Sequence, residues 1–308
     1  MSTRIFGTIR MKRGEEVRVG VIGAGAIGLL LASAYEQEGA DVMVFTRRPA
    51  QACRLNKEGI RVDGLLSYTA EVKANTTNEA IPMSFDLLIV AVKSYDVATA
   101  LQSFFQKNMA VRQWLFIQNG MSHLDIISSL QGDIYVAGVE YGVKKSTDTC
   151  VEVTGLGRIR VAPFRLFTTE SFVETSFLQI ERACHYKEML EDKLIVNVCI
   201  NPLTALLGVK NGALLTEPSY KQAMRTIFRE AISVLNRDAD WLMLWRRVVS
   251  VCQKTSDNTS SMRADYEVGR RLETEAIMGY LLKEADRKKK AAPCIAFLSH
   301  LLVNRNDH

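Results

Sequence analysis

Lys193, Asn197 and Asn201 recur at i, i+4 and i+8 inside the run K-L-I-V-N-V-C-I-N-P-L-T-A, so a helix there stacks one ammonium and two carboxamides along a single face. Lysine and asparagine usually meet water, and an exposed stripe is the plain alternative. The flanking Leu194, Ile195, Val196, Val198 and Ile200 favour a stripe turned inward. An inward cation is costly unless partners or a ligand meet it.

A second constellation lies near the start of the chain. Gly23-Ala24-Gly25-Ala26-Ile27-Gly28 is a G-x-G-x-x-G run that follows a β-branched segment and opens helical spacing. Its glycines suit a tight turn, close backbone approach to a pyrophosphate, and close helix–strand packing. The helix N-terminus adds free N–H groups and a positive dipole end. A glycine-rich turn in an unrelated α/β protein is the alternative, and the strand–helix–strand order decides for a dinucleotide. Thr46-Arg47-Arg48 stands where an NAD site usually carries a carboxylate for the ribose hydroxyl. A guanidinium there can grip a 2′-phosphate, so the expected cofactor is NADPH/NADP+, with Arg47 as its reader.

Elements able to position these groups follow from periodicity. Val17–Ile22, Asp41–Thr46, Phe85–Val92 and Trp114–Gln118 are short apolar runs of strand length, with Leu29–Glu38 reading as a helix capped at Gly39. Ile134–Val139 and Gly157–Val161 read as later strands. Alternating strands and helices imply a parallel sheet with crossovers. From about Phe172 helical spacing takes over, in Glu188–Leu207, Ser219–Asp238, Trp241–Lys254 and Arg271–Lys288, with Pro202 and Pro218 marking breaks. The expected fold class is therefore α/β: an N-terminal Rossmann dinucleotide-binding domain over residues 17–175, then an all-helical domain over 176–308. Residues 1–16 precede the first strand and read as a disordered extension, without the apolar stretch of a secretory signal.

At 308 residues, with 47% hydrophobic and 24% charged residues, the chain can build two packed domains. A net charge of +5, scattered among acidic residues, does not suggest a nucleic-acid partner. The dense run Arg287–Lys290 reads as a solvated helix terminus. No apolar run is long enough to span a membrane. Six dispersed cysteines suit a reducing, cytoplasmic setting. His123, His185, His300 and His308 show no ligand spacing, so neither a metal site nor histidine catalysis is expected. Met121, Trp241 and Trp245 read as core or interface, and Glu140-Tyr141-Gly142 has no assigned role.

These residues together resemble the ketopantoate reductase (2-dehydropantoate 2-reductase) family. The likeness rests on Gly23–Gly28, Arg47, Val90-Ala91-Val92-Lys93-Ser94, Gln118-Asn119-Gly120-Met121, the Lys193–Ala205 run, Asn258-Thr259-Ser260-Ser261-Met262 and Glu273. It extends from about Val17 to Leu302, and the lysine–asparagine run is far more specific than the glycine motif.

The resemblance implies a two-domain plan like that of 6-phosphogluconate dehydrogenase. It also implies reduction of ketopantoate to pantoate with NADPH, on the route to pantothenate and coenzyme A. Lys193 then matches the general acid, and Lys93 and Asn119 match groups beside the cofactor. Asn119, Lys193, Asn197, Asn201, Asn258 and Ser261 match groups around the substrate, with Asn258 and Ser261 on one face if helical. Glu273 matches a carboxylate that accepts from the substrate's distal hydroxyl. Arg271-Leu272 departs from the usual Pro-Thr lead-in, and Glu275 lies two residues on; opposite helix faces allow only one of the two glutamates to point inward. Two alternatives remain open at this point: a reductase of another 2-keto acid or imine, and a turnover-free NADP sensor. A homodimer through the helical domain is also left open.

Overall fold

The computed structural model describes residues 17–77, 83–106, 109–168 and 170–303; the expected extension at 1–16 and His308 lie outside the described residues. Contacts divide the chain into two compact units. Among the described residues, the first comprises those up to Gln118 together with those of Ile126–Met189, and the second comprises Asn119–Asp125 with those from Leu190 onward. This exchange, inside a long helix, falls later than the expected break after residue 175. A strand at Ile180–Arg182 still pairs in the first unit's sheet.

In the first unit the glycine-rich loop joins β1 (Arg18–Ile22) to α1 (Ala26–Gln37), and β2 (Asp41–Thr46) leads into α2 (Pro49–Glu58). Three short strands follow: β3 (Ile60–Gly64), β4 (Tyr68–Ala70) and β5 (Lys73–Thr76). Next come β6 (Ser84–Val90), a 3-10 turn at Ser94–Asp96, α3 (Val97–Phe105), β7 (Ala110–Phe116), the single turn α4 (Leu124–Ile127) and β8 (Asp133–Val139). The unit ends with β9 (Gly142–Lys145), β10 (Cys150–Gly155), β11 (Ile159–Arg165) and β12 (Ile180–Arg182).

The main sheet has the order β12-β11-β8-β7-β6-β1-β2-β5. All of its pairings from β5 to β8 are parallel, and β11 runs antiparallel to β8. β1 is central, and four of its five residues are buried, as a strand covered on both faces requires. The chain order reverses direction at β1, which puts the glycine loop at the switch point where open α/β sheets bind ligands.

A second sheet, β4-β3-β10-β9, was not evident in the sequence. Its Ile60, Val62, Val151 and Val153 share one apolar core with Leu29, Leu30 and Tyr35 of α1, and Tyr35 donates its hydroxyl to the Val173 carbonyl at 2.9 Å. Glu140-Tyr141-Gly142 acquires a structural role. Glu140 pairs with Arg158 at 3.0 Å, the Tyr141 hydroxyl accepts from the Gln179 amide at 3.0 Å, and Gly142 opens β9.

In the second unit α5 (Tyr186–Leu207) is followed by α6 (Ala213–Thr216), α7 (Pro218–Leu235), α8 (Trp241–Lys254) and α9 (Ser261–Glu267). A π-helical turn at Glu275–Gly279, α10 (Tyr280–Lys288) and α11 (Pro293–Val303) complete it. Pro218 starts α7, but Pro202 does not break α5 as expected. Proline at 202 forfeits one ladder bond, yet with Leu194, Ile195, Val198, Cys199 and Leu203 buried the helix continues past it. Two residues on, the Thr204 hydroxyl donates to the Ile200 carbonyl at 2.8 Å and meets the Ser260 hydroxyl at 2.8 Å.

The basic run near residue 288 is likewise more than a solvated terminus. Lys288 and Lys290 reach across to the last carbonyls of α7, at Val234 and Ser233, and cap that helix. Glu230 on α7 returns the favour to α11, accepting from the Cys294 and Ile295 amides at 2.9 and 3.0 Å. No helix among the described residues is long and apolar enough to cross a membrane, and no cluster of metal-ligating side chains occurs among them.

Candidate functional site

In the helical unit the polar stripe lies on α5. Lys193 and Asn197 are half-buried and Asn201 is buried. A second piece comes from the segment Asn119–Asp125, which packs with the helices although it follows a sheet strand. Asn119 Nδ2 donates to Glu273 Oε2 at 3.0 Å.

The π-turn makes this docking possible. Its amide at Tyr280 bonds the Glu275 carbonyl, five residues back, where an α-helix would use Ala276. The Ala276 carbonyl is thereby released and accepts from the Met121 amide at 3.4 Å. Gly120 passes so close that a Cβ there would overlap the Ala276 carbonyl, and its φ of +74° already favours glycine. The Asn-Gly pair thus has two parts: an amide that holds Glu273 and a residue small enough to let it arrive.

Glu273 is 7% exposed. Glu275 is exposed and pairs with Lys283 at 2.6 Å. The two glutamates therefore occupy opposite environments, one inside the site and one in solvent.

His123, on the same docking segment, is 1% exposed. Burial pushes its imidazole down to about 4; the Glu273 carboxylate opposes that shift and the Lys193 ammonium adds to it. The ring is neutral at pH 7 and feels both charges. In the sequence it has no ligand spacing to mark it. Only its position two residues past Gln118-Asn119-Gly120-Met121 could have pointed to it.

Asn258 and Ser261 do not share a helical face. Asn258 lies in the loop before α9, its carbonyl accepting from the Asn211 amide at 3.2 Å. Ser261 is the exposed first residue of α9, and the buried Ser260 is the cap, accepting from the Arg263 amide at 3.1 Å.

In the nucleotide-binding unit the glycine loop has the geometry of a phosphate cradle. Gly23 has φ +108°, and a Cβ there would collide with the Ala91 backbone. A Cβ on Gly28 would overlap the Gly23 carbonyl. A Cβ on Gly25 would instead meet nothing within 4 Å, so the backbone there is open to an approaching group. Gly25 caps α1 without any side-chain cap on the helix amides. The residues therefore fit a dinucleotide diphosphate.

After β2, the Thr46 hydroxyl donates to the Arg48 carbonyl at 2.8 Å and shapes the turn that leaves Arg47 exposed. Lys93, half-buried, caps the 3-10 turn after β6. Gln118 ties the ends of β6 and β7 together, donating to the Val90 and Val92 carbonyls at 2.8 and 3.0 Å.

Comparison with known proteins agrees over nearly the whole chain. Residues 19–165 match the family model "Ketopantoate reductase PanE/ApbA", and residues 186–306 match its "C terminal" counterpart. The 2-dehydropantoate 2-reductase of Bacillus subtilis is 40% identical over 291 residues, covering 92% of this chain and 95% of that protein. The Listeria monocytogenes protein of the same name is 32% identical over 296 residues, covering 94% and 96%.

Among solved structures, a probable 2-dehydropantoate 2-reductase from Bacillus subtilis has a TM-score of 0.80 at 38% identity, covering 94% of this chain and all of that one. A ternary structure of D-mandelate dehydrogenase with NADH and anilino(oxo)acetate has a TM-score of 0.84 at 18% identity, covering 94% and 99%, a likeness of fold alone. The chain belongs to the ketopantoate reductase family.

Proposed function

We propose that this chain is an NADPH-dependent 2-dehydropantoate 2-reductase, reducing the 2-keto group of ketopantoate to the hydroxyl of pantoate. The observation that carries this reading is the placement of Glu273. It is a buried carboxylate held by Asn119, and the same neutral His123 senses both Glu273 and Lys193. The names borne by the Bacillus and Listeria relatives support the substrate.

The backbone of Gly23–Gly28 would hold the diphosphate of the cofactor, with Arg47 on the 2′-phosphate and Lys93 on a neighbouring anionic group. The bound reduced nicotinamide supplies a hydride. Lys193 polarises the keto oxygen and donates its proton there as the carbonyl carbon is reduced, then regains a proton from solvent. Glu273 accepts a hydrogen bond from the substrate's distal hydroxyl, and Asn119 fixes the carboxylate that does so. Asn197, Asn201, Asn258 and Ser261 orient the remaining substrate oxygens.

The test is a panel of 2-keto acids with NADPH and with NADH on the purified chain, following loss of the reduced cofactor. Ketopantoate with NADPH is expected to have the highest kcat/KM. A higher value for another 2-keto acid would reassign the substrate.

A further inference from the structure

The second sheet delivers a cation to the glycine loop. β9 ends at Lys145, and the turn before β10 is fixed by the Ser146 and Thr147 amides, which donate to the Cys150 carbonyl at 3.0 and 3.2 Å. From that hairpin Lys145 Nζ donates to the Ala24 carbonyl at 3.1 Å, inside the G-x-G-x-x-G run. Asp148, in the same turn, holds Lys145 through Oδ1 at 3.3 Å and bonds Arg48 through the same oxygen. Gln51 closes the network, its Nε2 donating to the Ala24 carbonyl and to the Asp148 carbonyl, each at 3.0 Å.

We propose that Lys145 is a cofactor-binding residue of the β9–β10 hairpin, contacting the diphosphate of the dinucleotide, with Asp148 as the residue that positions it. This rests on the dinucleotide reading above.

Three features argue for a ligand role beyond bracing. The Ala24 carbonyl already has a neutral donor in Gln51, so a second, charged donor is not needed to satisfy it. Lys145 and Arg48 meet the same carboxylate oxygen, which gathers two cations beside the loop. Finally, the ammonium stands beside the second residue of the motif, next to the open backbone of Gly25. Lysine serves such a site as a compact point charge.

Lys145 and Arg47 therefore read different parts of the cofactor. The diphosphate is common to NADPH and NADH, whereas the 2′-phosphate belongs to NADPH alone. Dissociation constants are measured on the full-length protein for NADPH and NADH by fluorescence titration, and for adenosine 2′-monophosphate by calorimetry. Lys145→Met is expected to raise the Kd of NADPH and NADH by the same factor, about tenfold, the usual scale for losing one charged hydrogen bond. It should leave the Kd of adenosine 2′-monophosphate unchanged, and Lys145→Arg should recover most of the loss.

Unchanged Kd values for both dinucleotides would overturn the proposal. So would an equal loss for adenosine 2′-monophosphate, which would mean that the loop itself had collapsed. Arg47→Ala reports separately: if it weakens NADPH no more than NADH, the NADPH preference fails while the Lys145 assignment stands on its NADH arm.

Discussion

The glycine loop and the proposed Lys193–Glu273 site are built by opposite means. The loop is one run of six residues, and what matters in it is the absence of side chains: Gly23 and Gly28 leave room for backbone that a Cβ would strike. The helical site draws on four separated positions, at residues 119, 123, 193 and 273, and what matters there is which side chains arrive and how dry they are. A site made of backbone is legible wherever its motif occurs. A site made of side chains depends on the packing that collects them, and here that packing turns on the π-helical carbonyl of Ala276 and the single residue Gly120 that can approach it.

The largest expected effect bears on the side-chain site. Lys193→Ala should lower kcat by about 10² to 10⁴, the usual worth of a positioned acid, while leaving the Kd of NADPH close to wild type. A fall in cofactor affinity with unaltered kcat would place Lys193 with the loop's chemistry and erase the contrast.

His123 tests the dryness of the same site. Its folded pKa of about 4 lies below the unfolded value near 6.5, so the unfolded chain takes up a proton first as pH falls. Its contribution to stability is fully present above about pH 6.5, declines below that, and is lost by about pH 4. At about 1.4 kcal/mol per pH unit the loss reaches about 3 kcal/mol. Carboxylates elsewhere titrate in this window, so the quantity to measure is the difference between wild type and His123→Gln in urea unfolding. That difference should shrink as pH drops from 7 to 4, and a constant difference would mean the ring is hydrated.

The same contrast explains what could be read from the sequence. β1, β2, α7 and α8 were legible because their apolar spacing fits the face they bury, and α1 and α5 because each is an apolar run of helical length. The sheet of β3, β4, β9 and β10 was not, since its strands are three to six residues long and its pairing joins segments far apart in the chain. Lys145 and Asp148 were hidden with it. Pro202 misled because local propensity was outweighed by the buried face of α5. The lysine–asparagine stripe was visible from spacing, but the role of His123 was not. Its significance comes from two charges brought to it by α5 and by the residues just before the π-turn.

The smallest expected effect is the sharpest test of how tightly the helical site is drawn. Glu273 and Glu275 are two residues apart, and a regular helix would merely turn them away from each other. In the structure one is buried against Asn119 and the other is an exposed partner of Lys283. Glu273→Gln removes the charge but keeps an amide that can still meet Asn119. The expected result is a rise in KM for ketopantoate of about tenfold, again the scale of one charged hydrogen bond. Glu275→Gln breaks only a solvent-exposed pair, so stability should move by less than about 1 kcal/mol and KM should not move at all. If Glu275→Gln raises KM and Glu273→Gln does not, the register of the π-turn is wrong by two residues, and Asn119 then holds a carboxylate with no part in binding.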